Sequence, residues 1–478
     1  MKTRFHSILF LAAALLMCAC SKKTDLLHCA SGSDMIIASV NLAEIYENAG
    51  CTVSETGVQL SDALAKIDRK TSGEIAGIIN IPGIDLSEIV LSMPDATTVA
   101  ISMHVTNQTA FADYLKAKDD IEASDDNGID EYSAPNFHLF IEDGIATLVS
   151  GPGADYSTLR QLQEEARKTP VTDMQRSHLC DGNAANVLFS IKKFYSLLPP
   201  EYLDNFVLGK YNREQIEDAY AALAISLSGL KLEGSLAFYD KDNNKIESPD
   251  SPGSVDTSLL QYASAADIAA AIVAMPKDFD WSGTFNKITG SSPYRSGLDP
   301  MIVEVIAEIL GNIDGSIMLA GGPKTALGIQ ELSGWDAVAA VQFKEGVARD
   351  YFEQIKTMAT ESLSGIATIT DATADKFTLS IPNAGTFYVE CSGNMLLASL
   401  SPIEKSGKCP VKASDFSGCN GALVIELPKD NVFSSLVRFP FGIHAAYTSK
   451  GNEINLTIEE TETDGLFLDN LIRFVSNF

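Results

Sequence analysis

The chain has 478 residues, with 35 Lys or Arg against 63 Asp or Glu, a formal net charge of −28. That charge repels phosphate backbones and anionic headgroups, which excludes nucleic-acid binding and any membrane attachment through surface charge. A hydrophobic content of 45% and a charged content of 21% over this length fit two or three domains with sizeable cores.

The first element in chain order is a targeting segment. Lys2 and Arg4 give a positive start, Ile8 to Met17 an apolar run, and Met17-Cys18-Ala19-Cys20 a lipobox. The run is too short for a membrane helix, which needs about 20 residues to cross roughly 30 Å of hydrocarbon. Ala19 leaves a signal peptidase room before Cys20, whose thiol is then the expected lipid attachment site and new N-terminus. Residues 1–19 are thus read as a lipoprotein signal peptide and 20–23 as an acylated cysteine with a short tether. Losing Lys2 and Arg4 leaves 33 basic residues against 63 acidic ones, so only an acyl anchor would hold the exported body at a membrane.

Two stretches of the body read alike. Thr24 to Ala43 (TDLLHCASGSDMIIASVNLA) and Thr257 to Pro276 (TSLLQYASAADIAAAIVAMP) share seven identities at an offset of 233, among them Ser31/Ser264, Asp34/Asp267 and Ala38/Ala271. The landmarks that follow keep one order. Each copy opens with an apolar strand, Met35–Val40 or Ile268–Val273. An Ile-Asp pair comes next, Ile84-Asp85 or Ile313-Asp314. Then a strand feeds a helix carrying Asp-Tyr: Thr98–Val105 before Asp113-Tyr114, and Ala337–Phe343 before Asp350-Tyr351.

A hairpin follows in each, turning at Asp143-Gly144 or at Ser392-Gly393-Asn394, residues that tolerate positive φ. Further strands are predicted at Ala185–Ile191 and Ala422–Leu427. The closing pairs are Ala222–Leu227 with Lys231–Tyr239, and Ile443–Thr448 with Glu453–Glu459. Alternation at Ile454, Leu456 and Ile458 predicts antiparallel sheet. The expected fold class is α+β: two tandem repeats of a mixed, mainly antiparallel sheet packed with helices, at 24–239 and 257–478. The Pro/Ser/Gly-rich stretch 240–256 is the expected linker.

Chemistry is harder to find. None of the histidines has HxH or HExxH spacing, so no metal site and no cofactor is expected. His178-Leu179-Cys180 sets a histidine beside a thiol but brings no third group. There is no GxSxG elbow. Gly321-Gly322-Pro323-Lys324-Thr325 lacks the Gly-Lys pair of a phosphate loop and reads as a tight turn between strands. The acidic stretches Asp240–Asn244 and Asp119–Glu131 fall short of a calcium ligand set and read as solvated loops. Trp335, at the start of a strand, reads as core. Of six cysteines in the exported body, only Cys409 and Cys419 lie close enough in sequence for a local disulfide.

The opening after Cys20, SKKTDLL followed by MIIASVNLAEI and then AGC, resembles an uncharacterised lipoprotein family of Bacteroidetes labelled domain of unknown function 4836. Where members of that family show Pro-Ala-Asp, this chain has Ser31-Gly32-Ser33-Asp34. The resemblance implies an envelope lipoprotein and an architecture, and it brings no catalytic residues. The resemblance also implies a side: lipoproteins of that phylum exported to the surface tend to carry acidic residues just after the acylated cysteine, and the non-acidic Ser21-Lys22-Lys23 favours an outer-membrane anchor facing the periplasm. The expected function is a non-catalytic binding or scaffolding module with a protein or glycan ligand in the envelope. The alternative is a hydrolase acting on envelope polymer or glycan through unidentified carboxylates.

Overall fold

The structure, a computed structural model, describes residues 25–54, 57–71, 73–124, 129–197, 218–246, 253–264, 267–275, 308–324, 334–362, 367–382, 385–426, 442–450, 453–461 and 463–476. It is a mixed α/β protein whose strand pairs, among the described residues, are antiparallel. The chain divides into two compact units at 247/248, within the expected linker. One departure concerns the end of the chain. Residues from Asp464 onward belong to the first unit, although the repeat boundaries assign them to the second. Among the described residues no helix is long and apolar enough to cross a membrane.

Unit 1 is built on ten strands and a separate hairpin. The first strand, β1 (Ile36–Val40), leads through helix α1 (Leu42–Asn48) to a small hairpin, β2 (Thr52–Ser54) and β3 (Gly57–Gln59). Helices α2 (Asp62–Lys70) and α3 (Glu74–Ile79) precede β4 (Ile84–Met93) and β5 (Val99–Val105). After α4 (Gln108–Lys116) come β6 (Glu122–Ser124), β7 (Asp130–Ala134), β8 (Phe137–Glu142) and β9 (Ile145–Ser150). Helices α5 (Tyr156–Lys168) and α6 (Asp173–Leu179) follow, then β10 (Ala185–Ser190) and α7 (Ile191–Leu197). The antiparallel pair β11 (Tyr220–Ser228) and β12 (Lys231–Tyr239) completes the described strands of unit 1. The strand order is β12-β11-β10-β1-β4-β5-β9-β8-β7-β6.

Local chemistry sets these elements. Asn41 caps α1 by accepting from Glu44 N at 2.9 Å, and Asp155 and Thr172 open α5 and α6 with capping boxes. The β8–β9 hairpin turns where expected, with Asp143 at φ 50° and Gly144 at φ 76°. One sheet face buries Ala38, Val40, Leu91, Ile101 and Val187 under α1, α4 and neighbouring elements. The other buries Ile37, Val90 and Leu188 under a 3-10 turn at Leu26–Cys29 and α6.

Unit 2 opens with a 3-10 turn at Thr257–Tyr262 and β13 (Ala269–Ala274). Then come β14 (Ile313–Pro323), β15 (Trp335–Phe343) and helix α8 (Val347–Ser362). Strands β16 (Thr368–Thr370), β17 (Lys376–Ile381), β18 (Gly385–Ser392) and β19 (Met395–Ser399) follow. The last three are β20 (Gly421–Ile425), β21 (Gly442–Lys450) and β22 (Glu453–Thr461). Their order is β22-β21-β20-β13-β14-β15-β19-β18-β17-β16. Helix α9 (Phe467–Ser476) packs on α2 of unit 1.

Register can be compared between the units through the identical residues. Ala38 lies opposite Leu91 and Val187, while Ala271 lies opposite Leu319 and Leu423. Both second strands carry a bulge at the same place, between Ile84 and Ile89 and between Ile313 and Ile317. Asp34 and Asp267 are both buried, and each accepts from the main-chain N–H of the serine three residues before it, Ser31 at 2.9 Å and Ser264 at 2.6 Å. The environments then diverge. Opposite Ile37 stands Ser92, whose hydroxyl donates to Asp34 at 2.5 Å; opposite Ala270 stands Ala320, which has no donor. Asp267 Oδ1 is left buried with no hydrogen-bond partner, and the Asp336 carboxylate adds repulsion.

Three details depart from the sequence reading. Gly321 to Pro323 continue β14 rather than forming a tight turn. Trp335 is half-buried at a strand end and is not core. Cys409 and Cys419 are free thiols, not a bridge; each donates at 3.2 Å to a main-chain carbonyl, of Asp267 and Phe416 respectively.

Candidate functional site

The two strand orders match, but the chain leaving the seventh strand position, β9 or β19, does not behave alike. After β9 it forms the thirteen-residue helix α5; after β19, residues 400–412 run without a helix to a 3-10 turn at Ala413–Phe416. Helix α5 forms because Asp155 accepts from Thr158 N at 2.9 Å and because Leu159 and Ala166, two turns apart, are apolar and buried. Between α5, the end of β8, the start of β9 and the Leu26–Cys29 turn lies a cleft of about 350 Å³.

The floor of the cleft is apolar, formed by Phe140, Ile145, Leu159 and Ala166. Its polar groups are mostly committed. Glu142 receives both arms of Arg160, at 2.9 and 2.8 Å, and the amide of Gln163 at 3.1 Å. These bonds, Arg160 first, hold the Glu142 carboxyl below its usual range. Arg160 is itself fixed, its Nε donating to Tyr156 Oη at 2.6 Å with the guanidinium 4.8 Å from that ring. Arg176 pairs with the Asp25 carboxylate and donates to Val171 O at 3.3 Å.

A thiol and an imidazole also line this cleft. His28 Nδ1 donates to Asp25 O at 2.6 Å, which fixes the tautomer and leaves Nε2 to accept. Cys29 Sγ lies 3.6 Å from that nitrogen. Burial pushes the Cys29 thiol up, so it is protonated at neutral pH and is not an activated nucleophile. With its carboxyl held below the usual range, Glu142 is not poised to protonate a leaving group.

The groups singled out from sequence lie elsewhere. His178 Nε2 meets Asn243 at 2.9 Å and packs against Tyr239, with ring centroids 4.4 Å apart, so its role is structural. His138 pairs with Glu131 at 2.8 Å, and His104 lies 3.7 Å from Glu88. Asp240 Oδ1 accepts from the main-chain N–H groups of Asp242 and Asn244, so the acidic loop spends its oxygens on its own turn. Residues 125–128 of the other acidic stretch lie outside the described residues, as does Cys20. Among the described residues no group of three or more His, Cys, Asp or Glu could hold a metal ion. The cleft was not visible in sequence, because His28, Glu142 and Arg167 are far apart in the chain. A local hint was the capping signal Asp155–Thr158 of a helix that has no counterpart after β19 among the described residues of unit 2.

No family model matches this chain, and no curated protein matches it. Among solved structures, crystal forms III and IV of a protein called TP0453 are similar at 11% and 10% identity, covering 47% and 45% of this chain and 83% and 81% of theirs, each with a TM-score of 0.31. Crystal form I of the same protein matches at 10% identity with a TM-score of 0.27. A likeness at these scores does not identify a shared fold.

Proposed function

We propose that this chain is a lipid-anchored envelope protein that binds a small ligand in the unit 1 cleft, on a frame that arose by tandem duplication. The observation that carries the binding reading is the divergence of two otherwise parallel units. Strand order and register agree, while α5 and the cleft it forms occur in unit 1. Duplication is supported by the shared bulge, the Ser-x-x-Asp pairs and the two Asp-Tyr helices. Tyr114 donates to Gly77 O at 2.5 Å, and Tyr351 accepts from Asn312 at 3.0 Å. The resemblance to the Bacteroidetes lipoprotein family agrees with the lipobox, and with it an outer-membrane anchor facing the periplasm. The scaffolding role and a partner protein or glycan rest on that location alone.

Two measurements test this reading. Metabolic labelling with a fatty-acid probe is expected to mark the wild-type protein and to leave Cys20→Ala unlabelled; continued labelling of the variant would end the assignment of the anchor. A thermal-shift screen of envelope peptides and glycans is expected to yield a ligand, which at about 100 times its Kd adds about 2.7 kcal/mol. Failure of every compound to bind would remove the binding role.

A further inference from the structure

The cleft has an uneven charge inventory. Glu142 and Arg176 line it, but each is neutralised by a partner, Arg160 or Asp25. Two lining charges have no hydrogen-bond or ion-pair partner among the described residues. Arg167, on α5, is exposed, and its field reaches Glu142 without forming a bond. Asp143, at the β8–β9 turn, is exposed on a residue whose positive φ fixes the turn. One free cation, one free anion and an apolar floor thus share a volume at the small end of ligand sites.

We infer that the cleft takes a zwitterion with an apolar body, a short peptide with free termini, holding its carboxylate at Arg167 and its ammonium at Asp143. A simple anion would satisfy Arg167 and be repelled by Asp143, and a neutral apolar molecule would leave both charges unused. The two charges stand at the rim while Phe140, Ile145, Leu159 and Ala166 supply the dry contact, a division common to small-molecule sites. This inference rests on the cleft being the binding site, and the experiment below separates the two.

The test is isothermal titration of the whole mature chain with leucyl-leucine, its N-acetyl derivative, its C-terminal amide, and octanoate. Arg167→Gln and Asp143→Asn are compared with wild type; both positions are exposed, and far-UV circular dichroism checks that each variant folds. Leucyl-leucine is expected to bind, and each variant and each capped derivative to weaken it about tenfold, the loss of one charge-assisted hydrogen bond. Arg167→Gln is expected to be indifferent to C-terminal amidation and Asp143→Asn to N-acetylation, since each pair removes the same contact. Octanoate binding as tightly as leucyl-leucine, equal binding of the capped peptides, or no binding at about 10 mM would each overturn the zwitterion inference. Octanoate binding that Arg167→Gln abolishes would overturn it while leaving the cleft as the site. Binding that neither variant changes would place the ligand elsewhere and overturn both.

Discussion

Asp267 offers a quantitative handle on unit 2. Its carboxyl is buried with one oxygen unpartnered, and burial first, aided by the neighbouring Asp336, raises its pKa from the ordinary 3.8 to about 6. The Ser264 N–H and the Lys324 charge pull the other way without restoring the ordinary value. The folded state therefore pays for ionising this group. The cost is absent below about pH 4, grows as pH rises, and is complete above about 6. At about 1.36 kcal/mol per pH unit, the gap amounts to about 3 kcal/mol at neutral pH. Asp267→Asn keeps an acceptor for Ser264, removes the charge and turns an amide donor toward the orphaned side. Its expected effect is a gain of up to about 3 kcal/mol near pH 7.5 and almost none near pH 4. Guanidinium unfolding followed by tryptophan fluorescence reads this directly, because Trp335 opens β15 of unit 2 and the second of the two tryptophans, Trp281, falls between β13 and β14 in the sequence. An equal gain at both pH values, or a loss at neutral pH, would refute the reasoning.

The other expectations use the same bookkeeping. Ser92→Ala removes the hydroxyl that satisfies Asp34 and should destabilise unit 1 by about 1–3 kcal/mol, visible as faster amide exchange in β1 and β4 and absent from the tryptophan signal. Arg160→Ala breaks a bidentate pair, but both partners are about one-third exposed, so urea unfolding by circular dichroism should show a loss of about 1 kcal/mol or less. Tyr351→Phe gives up one hydrogen bond to Asn312, with an expected cost to unit 2 of about 1 kcal/mol in the tryptophan-monitored transition.

Much of the frame was legible because it follows from local rules. Apolar runs bounded by turn residues placed β1, β5, β10 and β12 to within a residue or two, and Asp143-Gly144 marked the β8–β9 hairpin by its tolerance of positive φ. The short strands β6, β7 and β16 were not found, since three to five residues with polar neighbours carry little periodicity. The Gly-Gly-Pro stretch misled for a different reason: its glycines sit in a strand that passes close to its neighbour, a Cβ on Gly321 coming within 3.1 Å of Asp336 O. The cleft was illegible because its charges are sorted by pairing. Sequence shows that Glu142, Arg160, Arg167 and Arg176 exist; only three-dimensional neighbours show that Arg167 is left without a partner.

The placement of α9 ties the two ends of the chain to one object. Leu468 N donates to Asn48 Oδ1 at 2.9 Å across 420 residues, Phe467 N to Gly229 O at 2.8 Å, and Lys70 Nζ to Ser476 O at 3.3 Å. Leu468 and Ile472 complete the packing over the core of unit 1. Unit 1 is therefore assembled from segments separated by 420 residues, with the strands of unit 2 between them in the chain. Without α9, α1 and α2 would expose the apolar surface that Leu468 and Ile472 cover. A variant truncated after Thr463 would keep the described strands of both units and still expose this seam. Helix α9 is thus a clasp on unit 1 supplied by a segment that follows unit 2 in the chain, and its release is a route to local opening of unit 1.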